Sequence, residues 1–290
     1  MFLQLIISGL AFGSLYALIA LAMVIIYKTS EVPNFGQGEM AMISTFVAHT
    51  LLVTHGYSFV VSFAGALAFA AALGMFLEFV FLRRAKDPNI LSLILITLGF
   101  EMVLYGLASW KWGAEQMNFP FPVSDFDIIN IGPAVVSYLN IATLLITLFL
   151  MFVLFLFFKY TKVGIAMKAT QQNAMAARIN GIRTNRILSL TWALSSMIGA
   201  VAGMMLAPIA TLDPNLMLEP LLKGFSAAVL GGMTTLVGAA LGGYILGVLE
   251  NLFGGYVSLE FKSVVAFLII VLVLCFKPSG LFARHYVRKV

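Results

Sequence analysis

The chain has 290 residues, 61% of them hydrophobic and 10% charged, with a mean hydropathy of +1.03. No soluble domain keeps such a surface in water, and successive apolar runs of about 20 residues, enough to cross ~30 Å of hydrocarbon, predict an all-α polytopic membrane protein. The net charge of +5 does not imply nucleic acid, because most of the 17 Lys and Arg fall in Arg83–Lys86, Lys159–Arg186 and Lys277–Lys289, as the positive-inside bias of membrane proteins places them.

The first span is predicted over about Leu5 to Tyr27, retained rather than cleaved as a signal peptide, with Gly9 and Gly13 at the small-xxx-small spacing that lets helix backbones approach closely in lipid. After it, Pro33, Gly36 and Gly38 interrupt helix continuity beside the polar Asn34, Gln37 and Glu39, and the following apolar run, Met40 to Val53, is short. A broken polar segment next to a short hydrophobic run points to a binding or translocation site near the membrane interior; an ordinary turn into a capped helix is the other reading.

A run from Tyr57 to Leu82 leads to the basic turn RRAKDPN, and the fourth span, Ile90 to about Trp112, carries Glu101 at its midpoint. A carboxylate at that depth either lines a pathway or hydrogen-bonds a neighbouring helix. Trp110 and Trp112 mark an interface, and the acidic loop Gly113 to Ser137, with Glu115, Asp125, Asp127 and no basic residue, is placed outside.

Span five, Tyr138 to Phe158, returns to the loop Lys159–Arg186, whose basic residues Lys159, Lys162, Lys168, Arg178, Arg183 and Arg186 face no acidic one. That charge places the loop in the cytoplasm. Ile165 to Ile179, free of Pro and Gly and rich in Ala, Met, Gln and Lys, predicts one short helix outside the bilayer, ended by Gly181 in a left-handed cap.

Span six, Ile187 to Leu206, carries Gly199 and Gly203, and TLDPNLMLEP follows as an external turn region. From Leu221 to Phe253 the chain is apolar but crowded with glycine. One straight crossing there would leave the basic tail outside after the last span, Ser263 to Phe276, so parity predicts a half-helix to about Gly232, a break, and a returning helix from about Leu236. The total is about eight transmembrane segments in a single domain, residues 1–290, with the N-terminus outside and the C-terminus cytoplasmic.

Three stretches carry a resemblance. Asn34, Phe35, Gly38 and Glu39 are similar to the Ile-Asn-Phe-Ala-His-Gly-Glu stretch of branched-chain amino acid ABC-importer permeases, with Gly36 for Ala and Gln37 for His. Met175, Ala176, Ala177 and Gly181 resemble Glu-Ala-Ala-x-x-x-Gly, the cytoplasmic coupling loop of such permeases, with Met175 for Glu. Lys223, Phe225, Ala227 to Gly232, Gly242 and Gly243 fall where those permeases repeat such residues, and KPSGLF resembles their Pro-x-Gly-Leu close.

The resemblance implies a bacterial inner-membrane, multi-pass permease subunit that moves branched-chain or related hydrophobic amino acids by alternating access. Its implied partners are a second permease subunit, two ATP-binding cassette subunits and an extracytoplasmic substrate-binding protein, and ATP is bound by the partners. Lys168, Met175, Ala176, Ala177, Arg178 and Gly181 are the expected coupling residues. Asn34, Phe35, Gly36, Gln37, Gly38, Glu39, Glu101, Gly231 and Gly232 are the pathway candidates. Amides, urea or aromatic acids are alternative substrates, and a self-sufficient carrier coupled to ions through Glu101 or Glu39 is the alternative class.

The chain has no Gly-x-x-x-x-Gly-Lys-Ser/Thr loop to cradle nucleotide phosphates, so it is not the ATPase. His49, His55 and His285 form no His-Glu-x-x-His pair, no Gly-x-Ser-x-Gly elbow is present, and Cys275 is single. No metal site, cofactor site or catalytic residue of this chain is expected.

Overall fold

A computed structural model describes residues 1–85, 89–123, 127–131, 134–277 and 279–282. The elements are α1 (Phe2–Ser30), α2 (Gln37–His49), α3 (Phe59–Phe76), α4 (Ile90–Trp112), β1 (Ile128–Ile131), β2 (Ala134–Ser137), α5 (Tyr138–Tyr160), α6 (Lys162–Gln172), α7 (Ala174–Ile179), α8 (Thr184–Ala210), α9 (Leu218–Gly231), α10 (Leu236–Tyr256) and α11 (Lys262–Phe276). Wider i→i+5 turns extend α2 through Thr50–Thr54 and α3 through Leu77–Leu82. Among the described residues six helices are long and apolar enough to cross a membrane, and α11 is a shorter apolar helix. The expected count of about eight includes, besides these seven, α2 with its extension, and takes α9, which alone falls below spanning length, together with α10 as one broken pair. The antiparallel ladder of β1 with β2, Ile128 opposite Ser137, was not anticipated in the external loop.

The contacts divide the chain into two compact units, Met1–Val24 with Val123–Leu144 and Glu219–Val290, and Ile25–Pro122 with Leu145–Leu218.

In the first unit α1 and α10 run antiparallel. A Cβ on Gly9 would lie 2.8 Å from Val248 Cα, and one on Gly13 2.9 Å from Gly243 O, so only glycine permits this backbone approach. Gly243 and Gly247 of α10, one turn apart, present their own backbones to Ala17 and Gly13 in return. α9 enters beside the start of α11, where Ser263 Oγ donates to Glu219 Oε1. It ends beside the segment after α11, where the N–H groups of Leu281 and Phe282 bond Leu230 O at 2.8 Å and Gly231 O at 3.2 Å. The chain then turns at Gly232 (φ +104°) and returns as α10. The predicted break and return are therefore present, and the turn lies at the same end of the unit as the residues that lead into the C-terminal tail. Leu5, near the N-terminus, packs at the opposite end, against Gly255.

In the second unit α2 is the buried centre, packed by α3, α4 and α8. Gly199 and Gly203 give α8 the small surface that accepts Gln37, Ala41 and Thr45. One end of this unit gathers Trp112, whose Nε1 donates to Thr50 Oγ1 at 2.9 Å, and the paired backbones of Met117 and Leu212. Trp112 also stacks on Phe46 at 5.0 Å, so of the two tryptophans read as interfacial only Trp110, 84% exposed, stands free of the core. The other end gathers the basic turn after α3 and the start of α8, joined through Arg83 and Asn185. Loops expected on one side of the membrane thus meet at one end.

Candidate functional site

The polar break between α1 and α2 covers residues 31–36, beginning at Glu31 (φ +57°), and helix resumes at Gln37. The expectation that the break runs on through Gly38 is corrected here: Gln37, Gly38 and Glu39 form the first turn of α2, because Glu31 and Pro33 close off α1 and a single Gly38 costs a new helix only about 1 kcal/mol, which its packing against α8 offsets. The Asn34 side chain is fully buried, and its Nδ2 donates to Gln37 Oε1 at 3.1 Å and to Met40 Sδ at 3.4 Å. Gln37 crosses to α8, donating through Nε2 to Ser195 O and accepting from Ser195 Oγ, each at 3.2 Å. Phe35 N donates to Thr97 Oγ1 on α4 at 3.4 Å, and a Cβ on Gly36 would approach Thr97 O at 3.2 Å. Ser195 stands three turns into α8, roughly 16 Å along its axis. The break is thus held at depth by α4 and α8, while Asn34 Oδ1 is buried with no hydrogen-bond partner among the described residues.

This anchoring brings Glu39 and Glu101 to one cavity of about 410 Å³, lined also by Met102, Tyr105, Pro214, Asn215 and Leu218. Glu39 is 6% exposed and its Oε2 has no hydrogen-bond partner among the described residues. Gly231 and Gly232 belong to the first unit, packed by Gly280 and bonded by Phe282. They are not among the residues that line this cavity.

The basic loop folds as two helices, not the one expected. Asn173 (φ −159°, ψ 104°) ends α6 and caps α7, its Oδ1 accepting from Ala176 N at 2.9 Å. An Asn side chain that satisfies an orphan amide competes with helix continuation, which the high Ala and Gln content masked in the sequence. The ending at Gly181 is as expected: with φ +81° there, Gly181 N reaches Arg178 O at 2.9 Å and Ile182 N reaches Ala177 O at 3.0 Å, the double bond of a left-handed cap. Arg178 is not a free cation, since its Nε donates to Thr184 Oγ1 at 2.8 Å and ties α7 to α8. Ala177 faces inward, 4% exposed, whereas Met175 (67%) and Ile179 (80%) project from the same face one turn apart. Lys168 and Ala176 are exposed beside them, and a groove of about 280 Å³ runs along Ala169, Gln172, Asn173 and Ala176.

Two buried charge clusters escaped sequence reasoning. Glu78, inside the third apolar run, takes a two-pronged bond from Arg83 (Nε 3.1 Å, Nη2 2.8 Å) and one from Ser189 Oγ at 2.6 Å. In the first unit Lys223 Nζ sits between Glu219 Oε1 at 2.7 Å and Glu250 Oε1 at 2.5 Å, over the ring of Tyr16. Glu78 and Glu250 were visible as lone acids in apolar runs, the same signal that singled out Glu101.

The family described as branched-chain amino acid transport system / permease component matches residues 5–274. The chain belongs to this family. It is 30% identical over 301 aligned positions to the high-affinity branched-chain amino acid transport system permease protein LivH of Escherichia coli (strain K12), covering 100% of this chain and 98% of the relative. It is 31% identical, at the same coverage, to the corresponding permease BraD of Pseudomonas aeruginosa (strain PAO1). Its fold is similar to that in the structure of PsaBC from Streptococcus pneumoniae in complex with Fab, with a TM-score of 0.50 over 96% of this chain and 92% of that one at 13% identity. Family membership makes the chain a multi-pass permease component of a transport system and favours this class over a self-sufficient ion-coupled carrier.

Proposed function

We propose that the chain is one of the two membrane-spanning subunits of an ATP-driven importer for branched-chain or related hydrophobic amino acids in a bacterial inner membrane. Two ATP-binding cassette subunits engage the α6–α7 segment on the cytoplasmic face, and an extracytoplasmic binding protein delivers substrate at the opposite one. The N-terminus then lies outside and the C-terminal tail inside, since the basic segments stay on the cytoplasmic side. The chain itself binds no ATP and performs no catalysis; it supplies the pathway, with Asn34 to Glu39 and Glu101 along it and Gly231–Gly232 as the turn of a discontinuous helix pair.

The observation that carries this reading is the pair Met175 and Ile179, two large apolar side chains exposed on a capped turn beside basic residues, in a chain whose family match covers residues 5–274. Exposed apolar side chains grouped on one polar loop mark an interaction surface. The test is uptake into proteoliposomes holding the chain with a second permease, the ATPases and the binding protein. ATP-dependent accumulation of labelled leucine, isoleucine or valine is expected, unaffected by excess urea or acetamide; accumulation only of an amide or an aromatic acid would replace the substrate.

A further inference from the structure

The cavity of Glu39 and Glu101 contains an unexplained group. Glu39 Oε2 is buried and, among the described residues, without a hydrogen-bond partner, on the first turn of a helix that Gln37, itself held by Asn34, ties to α8. An ionised or hydrogen-bonding oxygen at membrane depth without a partner is costly, so a group that supplies the missing donor is implied. Glu101 faces the same space and lies within electrostatic reach of Glu39, so two carboxylates converge where there is no Lys or Arg.

Their convergence selects for a cation. The remaining walls decide which kind: Met102, Pro214 and Leu218 are apolar, Tyr105 adds an aromatic ring with a hydroxyl, and Asn215 adds an amide. A hard metal ion, bound by oxygen alone, would leave the apolar half of this lining, Met102, Pro214 and Leu218, without a partner. An organic ammonium group carried on a hydrophobic body fits both parts, with the carboxylates accepting from its N–H groups, the Tyr105 ring offering its face to the charge, and Met102 and Leu218 meeting the apolar chain. A volume of about 410 Å³ lies in the range of small-molecule sites. The Asn215 amide can donate to a carboxylate at the other end.

We propose that Glu39 and Glu101 are the ammonium-binding pair of the permease, which recognises the α-amino group of a hydrophobic amino acid after delivery. The pair thus acts as a specificity filter for amine-bearing substrates. This rests on the substrate class proposed above and adds the atoms that recognise it.

The probes are isoamylamine, which keeps the branched chain and the ammonium group, and 4-methylpentanoate, which keeps the chain and carries a carboxylate instead. Each is added externally to proteoliposomes of the complete importer while ATP-driven leucine uptake is followed, and leucine binding to the isolated binding protein is measured alongside to subtract any effect there. The amine is expected to inhibit at least tenfold more potently than the acid. Glu101→Gln, a substitution at a partly exposed site that leaves the fold intact, should raise the amine's inhibitory concentration about tenfold; Glu39→Gln should remove the inhibition and most uptake while the four-subunit complex still co-purifies. Equal potency of amine and acid, or superimposable curves for wild type and Glu101→Gln, would overturn the proposal. So would a sodium requirement for uptake, tested by replacement with choline, that disappears in Glu101→Gln, since the pair would then hold a metal ion. Absence of leucine uptake by the unsubstituted importer would contradict the substrate class itself, and this inference with it.

Discussion

Lys223 on α9 and Glu250 on α10 form a buried ion pair, Nζ to Oε1 2.5 Å, that fastens the outgoing helix of the discontinuous pair to the returning one. Glu219, one turn before Lys223, holds the same Nζ from its other side and accepts from Ser263 on α11. One cation therefore joins α9 to α10, and Glu219 carries the link on to α11. Removing one member of a buried pair strands the other charge, at about 3–5 kcal/mol, whereas replacing both by apolar residues is often neutral. Lys223→Met should lower the unfolding temperature of the purified permease strongly, and Glu250→Leu in the same chain should restore much of the loss. A double variant no more stable than the single would show that the pair does not act as a unit.

The orientation of α7 decides which substitutions test the proposed coupling role. Ala177 is enclosed by its own chain, so a bulky residue there disturbs the loop before it meets any partner. Ile179→Asp, at an exposed position, leaves the local bonds of Asn173, Arg178 and Gly181 in place. It is expected to cut ATP-driven uptake at least tenfold and to weaken ATPase co-purification, with the basic residues and hence the topology unchanged. Uptake within twofold of wild type would remove Ile179 from the coupling surface.

Gly13 faces Gly243 and Tyr244 with no room for a side chain. Gly13→Leu should force α1 and α10 apart, at a cost of about 1–3 kcal/mol or more if the backbones cannot shift, and should be seen as a lower unfolding temperature and reduced yield in membranes. Gly99→Leu on α4, where a Cβ meets nothing within 4 Å, is the control and should be tolerated.

Helix existence was legible from apolar length, and α4 from Ile90 to Trp112 matches its expected bounds because hydrophobic spans are long and self-contained. The break at Gly232 was legible for a different reason, the parity of basic segments, which is a property of the whole chain. What stayed hidden depends on tertiary partners. Gln37 to Glu39 looked irregular because their polarity was read without Ser195, and the inward turn of Ala177 could not be told from Met175 without α8. Glu78 and Glu250 needed Arg83 and Lys223, which had been read as topology markers or family residues. The β1–β2 ladder was legible too, in the β-branched runs IINI and AVVS on either side of Gly132 and Pro133, but the acidic residues before them mark the segment as an external loop and drew the reading there.

In the proposed importer ATP, hydrolysed by separate subunits, is the source of energy. The most direct test is leucine accumulation in two sets of proteoliposomes: one with the complete importer and ATP inside at zero ion gradient, the other with this chain alone and an imposed proton or sodium gradient without ATP. Accumulation in the first set and none in the second is expected. Gradient-driven uptake by the chain alone, lost in Glu101→Gln, would contradict the account and make the protein a secondary carrier.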